Sequence, residues 1–520
     1  MNEQKKAKPN SLSSAQKIVL AVIFTAFAII GIWLAGDYGV AWDDHSQIEI
    51  GRQNYEYAIG ISDSIFQSAD LYYGCAYELP VYFIQHFFNS FSTQIFVRHL
   101  ITHFLFLFAL YIFFKLLFKL FKSFPLALIG LFILYLSPRI FAHSFFNTKD
   151  LPFLSFFIIS IFTLWRLSEN PKDIKKLIIH AFISGFLIDI RVLGFLIPAL
   201  TLGTLFLLAL PKKEIRLLFK PMLIYGFTTM AFIYILWPAM WSNPVMHLLH
   251  ALYKMANFPW TSSTLLLGEM VVASNNPWYY IPLWIGISTP IYLLIFYILG
   301  LLFLTHDFLK NPDYLENRRK LFILILACIP LDLFIIFLIL QPTLYDGWRH
   351  LYFLMPLIII GAIYGIKTLN AILSKNKYLF TISVGLLIIV IVIPVIKMIQ
   401  LHPYQQVYFN EFISQKDENI RHQFEMDYWG LSYKEGFEEI LKIDQRNHII
   451  VMSEDISAMD NWKLSLEIDP RIELVSDIQN ADYLITSYRF HPEDYPYKKV
   501  YSIRRQGSDI LSIYKLKPNQ

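Results

Sequence analysis

Two adjacent carboxylates, Asp43 and Asp44, stand in the stretch YGVAWDDHSQ, directly after the first long apolar run of the chain. A like-charged pair at that position is costly unless it is solvated, paired or used. Three later stretches supply opposite charge. Arg139, His143 and Lys149 lie in SPRIFAHSFFNTKD, Arg191 lies in DIRVLG, and Arg349 and His350 lie in YDGWRHLYF. All border apolar runs on the side where Asp43 and Asp44 emerge. Arginine offers phosphate a bidentate fork and lysine a compact charge, so such a set suits an anionic lipid headgroup. A carboxylate that takes a proton from an acceptor hydroxyl, beside cations that stabilise a departing phosphate, is the machinery of group transfer. On that reading one aspartate is the base and the other positions it. Local pairing is the plainer alternative: Asp150 with Lys149 or Arg139, Asp189 with Arg191, and Asp346 with Arg349.

These residues need elements to hold them. The chain has 520 residues, 56% hydrophobic and only 16% charged. About 20 consecutive apolar residues span a bilayer as a helix, and such runs recur along most of the sequence. The pattern predicts a polytopic α-helical membrane protein with eleven spans, at about 18–36, 94–114, 124–138, 150–166, 177–189, 193–210, 221–238, 281–304, 321–340, 350–366 and 378–398. Asp189 and Arg191 interrupt one long apolar stretch, which is read as two spans. Lysine and arginine cluster in alternate connections, which places the tail 1–17 in the cytoplasm and the C-terminus outside. The first run ends in Trp33 and Leu34, with no small-residue cleavage pattern, and is read as a retained helix. The net charge of +4 is small and scattered, so nucleic acid is not an expected partner. Two cysteines, Cys75 and Cys328, suggest neither a disulfide framework nor a thiolate metal site.

The transmembrane part is expected over 18–400, with long outer loops at about 37–93 and 239–280. The Trp, Tyr and Pro content of these loops suits the membrane interface. From about 401 to 520 the character changes. EGFEEILKI reads as a helix, and HIIVMS, ADYLITSY, KKVYSIRR and ILSIYKL read as strands of a small extracytoplasmic α/β domain with a mixed sheet. In the FEMDYWGLS stretch that introduces it, Asp427 beside Trp429 is a sugar-contacting combination, with junction packing as the alternative.

At these residues the chain resembles the GT-C superfamily of membrane glycosyltransferases, in particular the protein O-mannosyltransferase and aminoarabinose-transferase branch called glycosyltransferase family 39. WDDHSQ matches the acidic pair after the first helix, with Asp44 where glutamate is commoner. SPRIFAHSFFNTKDLPF, YDGWRHLYFLMP and HPYQQVYFNEF followed by FEMDYWGLSYKE look like bacterial members, over about residues 18–435. The resemblance implies a polyprenyl-phosphate sugar donor, an extracytoplasmic site in a bacterial inner membrane, inversion at the anomeric carbon, and a protein or glycolipid acceptor. It aligns Asp43 with the catalytic acid and Asp44 with its neighbour. Arg139, Lys149, Arg349 and His350 fall on cationic positions near the donor phosphate, and Glu78, in YYGCAYELP, on a position that helps bind the acceptor, with a local cap or pair as the alternative.

No cofactor is expected. Adjacent side chains in DDH point in alternating directions, whereas oxygen-rich divalent sites gather ligands from separated positions, so the site is read as metal-independent. A transporter or flippase of a lipid-linked anion is the competing reading. It would favour internal repeats and symmetric broken helices, and the sequence has none. An interaction protein acting through its outer domain would leave the membrane-level charges unexplained.

Overall fold

The computed structural model describes residues 12–258, 260, 262–311, 314, 316–413 and 420–517. Most of the expected tail 1–17 lies outside the described residues. The helices of the first half are α1 (Ser14–Leu34), α2 (Asp44–Ala58), α3 (Glu78–Gln85), α4 (Phe91–Phe121), α5 (Phe124–Tyr135), α6 (Pro138–Phe146), α7 (Asp150–Leu167), α8 (Ile174–Ile190), α9 (Leu196–Ala209), α10 (Phe219–Leu236) and α11 (Pro244–Ala256). A hairpin, β1 (Ser263–Leu266) and β2 (Glu269–Val272), precedes α12 (Tyr280–Ser288), α13 (Ile291–Lys310), α14 (Arg318–Leu340), α15 (Met355–Leu373) and α16 (Lys377–Leu401).

Among the described residues, eight helices are long and apolar enough to cross a membrane, and the bent pair α5 and α6 makes a ninth. The chain is a polytopic helical membrane protein. The remaining two of the eleven expected spans correspond to α8, with 17 residues, and α16, with 25. The expected span 281–304 is not one helix. Thr289 is extended, as a residue before proline tends to be, and Pro290 starts α13 afresh. Proline also marks the 64° bend between α5 and α6, where Pro138 opens the second piece. Asp189 and Arg191 do break the long stretch: Arg191 is extended, and a single 3-10 turn leads into α9.

Side-chain caps start several helices, including Ser123 on α5, Asp173 on α8 and Asn317 on α14. Within the bilayer α13 and α15 approach through glycines. A Cβ on Gly300 would sit 2.0 Å from the Gly361 carbonyl oxygen, and one on Gly365 2.4 Å from that of Phe296. Gly361 and Gly365 are four apart on α15 and therefore share one helix face, the small-residue spacing that lets membrane helices touch backbone to backbone.

The first long loop, expected at about 37–93, holds α2 and α3. The second holds α11 and the β1–β2 hairpin. Beyond α16 the chain forms α17 (Tyr433–Ile443), β3 (Ile449–Met452), α18 (Ser457–Ile468), β4 (Ile472–Val475), β5 (Tyr483–Thr486), β6 (Lys498–Arg505) and β7 (Ser508–Lys515). The strand order is β4-β3-β5-β7-β6. β3 pairs in parallel with β4 and β5, and β7 is antiparallel to β5 and β6, so the sheet is mixed. This domain clips the segment that carries the acidic pair. Asn461 of α18 accepts from the Val40 amide at 2.9 Å and donates to the Val40 carbonyl at 2.9 Å. The Trp42 amide donates to the Trp429 carbonyl at 3.0 Å. Glu467 accepts from the amides of Phe91 and Ser92, anchoring the domain to the start of α4.

Candidate active site

The acidic pair splits in two directions. Asp43 precedes the first turn of α2 and faces a cavity of about 220 Å³, which Lys149, Arg191, Arg349 and His350 also line. Asp44 turns away and is buried. Its carboxylate accepts from the Ala41 amide at 2.9 Å and from Arg98 Nε at 3.0 Å. Burial pushes its carboxyl up to about 6, against the pull of Arg98.

Arg98 of α4 organises this buried side. Its Nη2 donates to Glu78 at 2.6 Å and to the Thr148 hydroxyl at 2.8 Å, and Nη1 reaches Gln85 at 3.4 Å. Burial also raises the Glu78 carboxyl. The guanidinium thus ties down the immediate neighbours of two cavity residues, Asp44 beside Asp43 and Thr148 beside Lys149. Glu78 belongs to this support and does not line the cavity.

Arg349 is the centre of the cavity wall. Nη1 donates to Asp43 at 3.0 Å and to Asp150 at 3.4 Å, and Nη2 donates to Asp346 at 3.1 Å. Its guanidinium lies 4.6 Å from the Trp429 ring. Asp150 is completed by Arg191 and by Asn147 Nδ2 at 2.8 Å. Asp346 sits at positive φ before Gly347, also at positive φ, in the turn leading to Arg349. Burial holds its carboxyl above the ordinary carboxylate range, although Arg489 and Arg349 draw it down.

Two features distinguish the groups free to react. Of the three carboxylates on Arg349, Asp43 is 29% exposed, against 2% for Asp150 and 5% for Asp346. Lys149 has no carboxylate within ion-pair distance among the described residues. Its ammonium lies 3.4 Å from the centre of the Tyr73 ring, and burial together with Arg191 pulls it down to about 7. Asp43 therefore offers an accessible acceptor, and Lys149 an uncommitted cation.

The remaining expected residues lie elsewhere. Arg139 Nε donates to the Tyr408 carbonyl at 2.8 Å, and its guanidinium stacks near Trp284 and Phe409. His143 packs edge-on against Trp429 and contacts Asn147 at 2.9 Å. Neither lines the cavity. Asp427 is buried and accepts from the Ser432 amide at 2.8 Å and from Gln406 at 3.2 Å, so it fixes a turn at the start of the C-terminal domain. Trp429 supports Arg349 from behind. Of the local pairings, Asp346 with Arg349 forms. Asp189 instead accepts from the Cys75 amide at 2.9 Å, and Asp150 pairs with Arg191 and Arg349. Arg98 and Arg489 were not anticipated. Arg98 is visible as a cation inside the apolar run of α4, whereas nothing local in the sequence marks Arg489. Among the described residues no group of three or more His, Cys, Asp or Glu side chains could hold a metal ion.

No family model and no curated protein matches the chain. Among solved structures it is similar to the apo oligosaccharyltransferase of Archaeoglobus fulgidus, at 11% identity and a TM-score of 0.49, over 91% of this chain and 69% of that one. It is also similar to ArnT of Cupriavidus metallidurans in the apo state, at 12% identity and a TM-score of 0.48, over 98% of this chain and 100% of that one. With ArnT bound to undecaprenyl phosphate the identity is 13% and the TM-score 0.46, over 96% of this chain and 99% of that one.

Proposed function

We propose that the protein is a glycosyltransferase that moves a sugar from a polyprenyl-phosphate donor to a hydroxyl of a protein or glycolipid acceptor. One observation carries the reading: an accessible carboxylate, Asp43, shares a cavity with the uncommitted cation of Lys149 at the end of a helical membrane bundle. The sequence resemblance to family 39 points the same way.

In this mechanism Asp43 accepts the proton of the attacking hydroxyl as the new glycosidic bond forms. The bond from the anomeric carbon to the phosphate oxygen breaks, and the charge left on the lipid phosphate is stabilised by Lys149 in the field of Arg191 and Arg349. Attack opposite the leaving group inverts the anomeric centre. Phe337 and Leu351 give the cavity an apolar wall, and Leu351 also borders a second, almost wholly apolar cavity of about 340 Å³ beside α13 and α14. A prenyl chain has matching chemistry. On this reading the base and the phosphate cations would face an acceptor on one side and the prenyl chain of the donor on the other.

The reading is tested by comparative mass spectrometry of envelope lipids and glycoproteins. Cells lacking the protein are complemented with wild type or Asp43→Asn. A sugar-sized mass that appears only with wild type supports it and identifies the acceptor. Identical profiles, with both proteins confirmed in the membrane, would remove the transferase reading in favour of transport or scaffolding.

A further inference from the structure

Arg489 belongs to the outer domain, in the segment that follows β5, yet its side chain is buried against the membrane domain. Nη2 donates to Asp346 at 3.0 Å, Nη1 donates to the Tyr428 carbonyl, and the guanidinium lies 4.1 Å from the Trp42 ring. Asp346 bridges Arg489 to Arg349, and Arg349 holds Asp43 at 3.0 Å. Trp42 immediately precedes Asp43. The outer domain therefore reaches the accessible carboxylate by two routes, through Asp346 and Arg349 and through the Trp42 ring.

The charges show why a third arginine is needed. Asp43, Asp150 and Asp346 surround Arg349, and Arg191 offsets only one of them. Arg489 gives Asp346 a second arginine, so that Asp346 does not depend on Arg349 alone. Without it Arg349 is, among the described residues, the one cation within ion-pair distance of both Asp346 and Asp43, and low-dielectric surroundings strengthen the competition between them. Buried ion clusters are sensitive to loss of one member because the others stay desolvated.

We infer that Arg489 is a positioning residue by which the outer domain completes the site, neutralising Asp346 so that Arg349 stays directed at Asp43. The catalytic consequence rests on the transferase reading, whereas the charge relay itself does not. It follows that the C-terminal domain supplies a partner to a buried carboxylate of the membrane domain: without it Asp346 keeps Arg349 alone.

The test uses the purified full chain in detergent, with Arg489→Gln, Arg489→Lys, Asp346→Asn and Asp43→Asn, and the pairs Arg489→Gln/Asp346→Asn and Arg489→Gln/Asp43→Asn. With the donor and acceptor identified by the envelope comparison, Arg489→Gln should lower kcat about 10- to 100-fold, the scale of a small misplacement of a reacting group. Arg489→Lys should retain more activity. Adding Asp346→Asn should restore most of the loss, since the carboxylate left without its partner is then neutral. A role in packing or domain attachment predicts no such rescue. Independently of activity, the relay predicts that Arg489→Gln lowers the melting temperature less in the Asp43→Asn background than in wild type, although the two residues do not touch. Wild-type kcat in Arg489→Gln, loss unrelieved by Asp346→Asn, or strictly additive melting shifts would each overturn the inference. A wild-type protein without transferase activity would remove the proposed reaction, and the melting cycle would still decide the relay.

Discussion

Adjacent aspartates with the same charge have different roles because one turn separates their environments. Asp43 is held by Arg349 and open to the cavity, whereas Asp44 is enclosed by Arg98 and the Ala41 amide. The two should therefore separate experimentally. Asp43→Asn is expected to cut transfer about 10²- to 10⁴-fold, the usual worth of a general base, and to leave the melting temperature near wild type. Asp44→Ala should lower activity and also cost about 1–3 kcal/mol or more of stability, read as a lower melting temperature, for the unpaired partners it leaves in the interior. Thermal unfolding beside a transfer assay checks both. Lys149 gives a pH prediction. Burial and Arg191 pull its ammonium down to about 7, so the cation is expected below that pH and its loss above. Donor affinity should weaken as pH rises from about 6 to 8, and Lys149→Arg, which keeps its charge, should flatten that dependence in a binding titration. An unchanged slope in Lys149→Arg would place the phosphate elsewhere.

At the scale of elements, the spans were legible because a bilayer imposes a length of apolar residues that needs no tertiary information. The strands around Gly507 were legible for a similar reason, since alternation and a turn residue are local. What the sequence concealed depends on distant partners. Asp189 and Arg191 are two residues apart and look paired, yet the helix ends between them, and Arg191 reaches Asp150 on another helix. Asp427 and Trp429 look like a sugar platform, but folding spends the carboxylate on a turn and the ring on Arg349. The break before α13 was announced by Pro290 and hidden by the apolar residues on both sides. The α13–α15 crossing yields a further prediction. Gly365→Leu places a side chain against the Phe296 carbonyl, where backbone must move. It should destabilise the bundle by about 1–3 kcal/mol or more, read as a lower melting temperature and reduced folded yield.

Across the whole molecule, the C-terminal domain and the membrane bundle meet at the segment leading to Asp43. Asn461 pairs with both backbone groups of Val40, Glu467 caps α4, and Arg489 enters the charge cluster. Asn461→Ala should release the 38–43 segment and lower transfer while the C-terminal domain itself remains folded. Limited proteolysis should then show a new cleavage near Val40, and protection equal to wild type would contradict the clip.

The most direct measurement of the central claim is single-turnover transfer by purified wild type and Asp43→Asn, with donor binding measured on the same samples. The account predicts that the variant binds the polyprenyl-phosphate sugar with near wild-type affinity and transfers it at least about 100-fold more slowly. Transfer at the wild-type rate by a folded, donor-bound Asp43→Asn protein would contradict it.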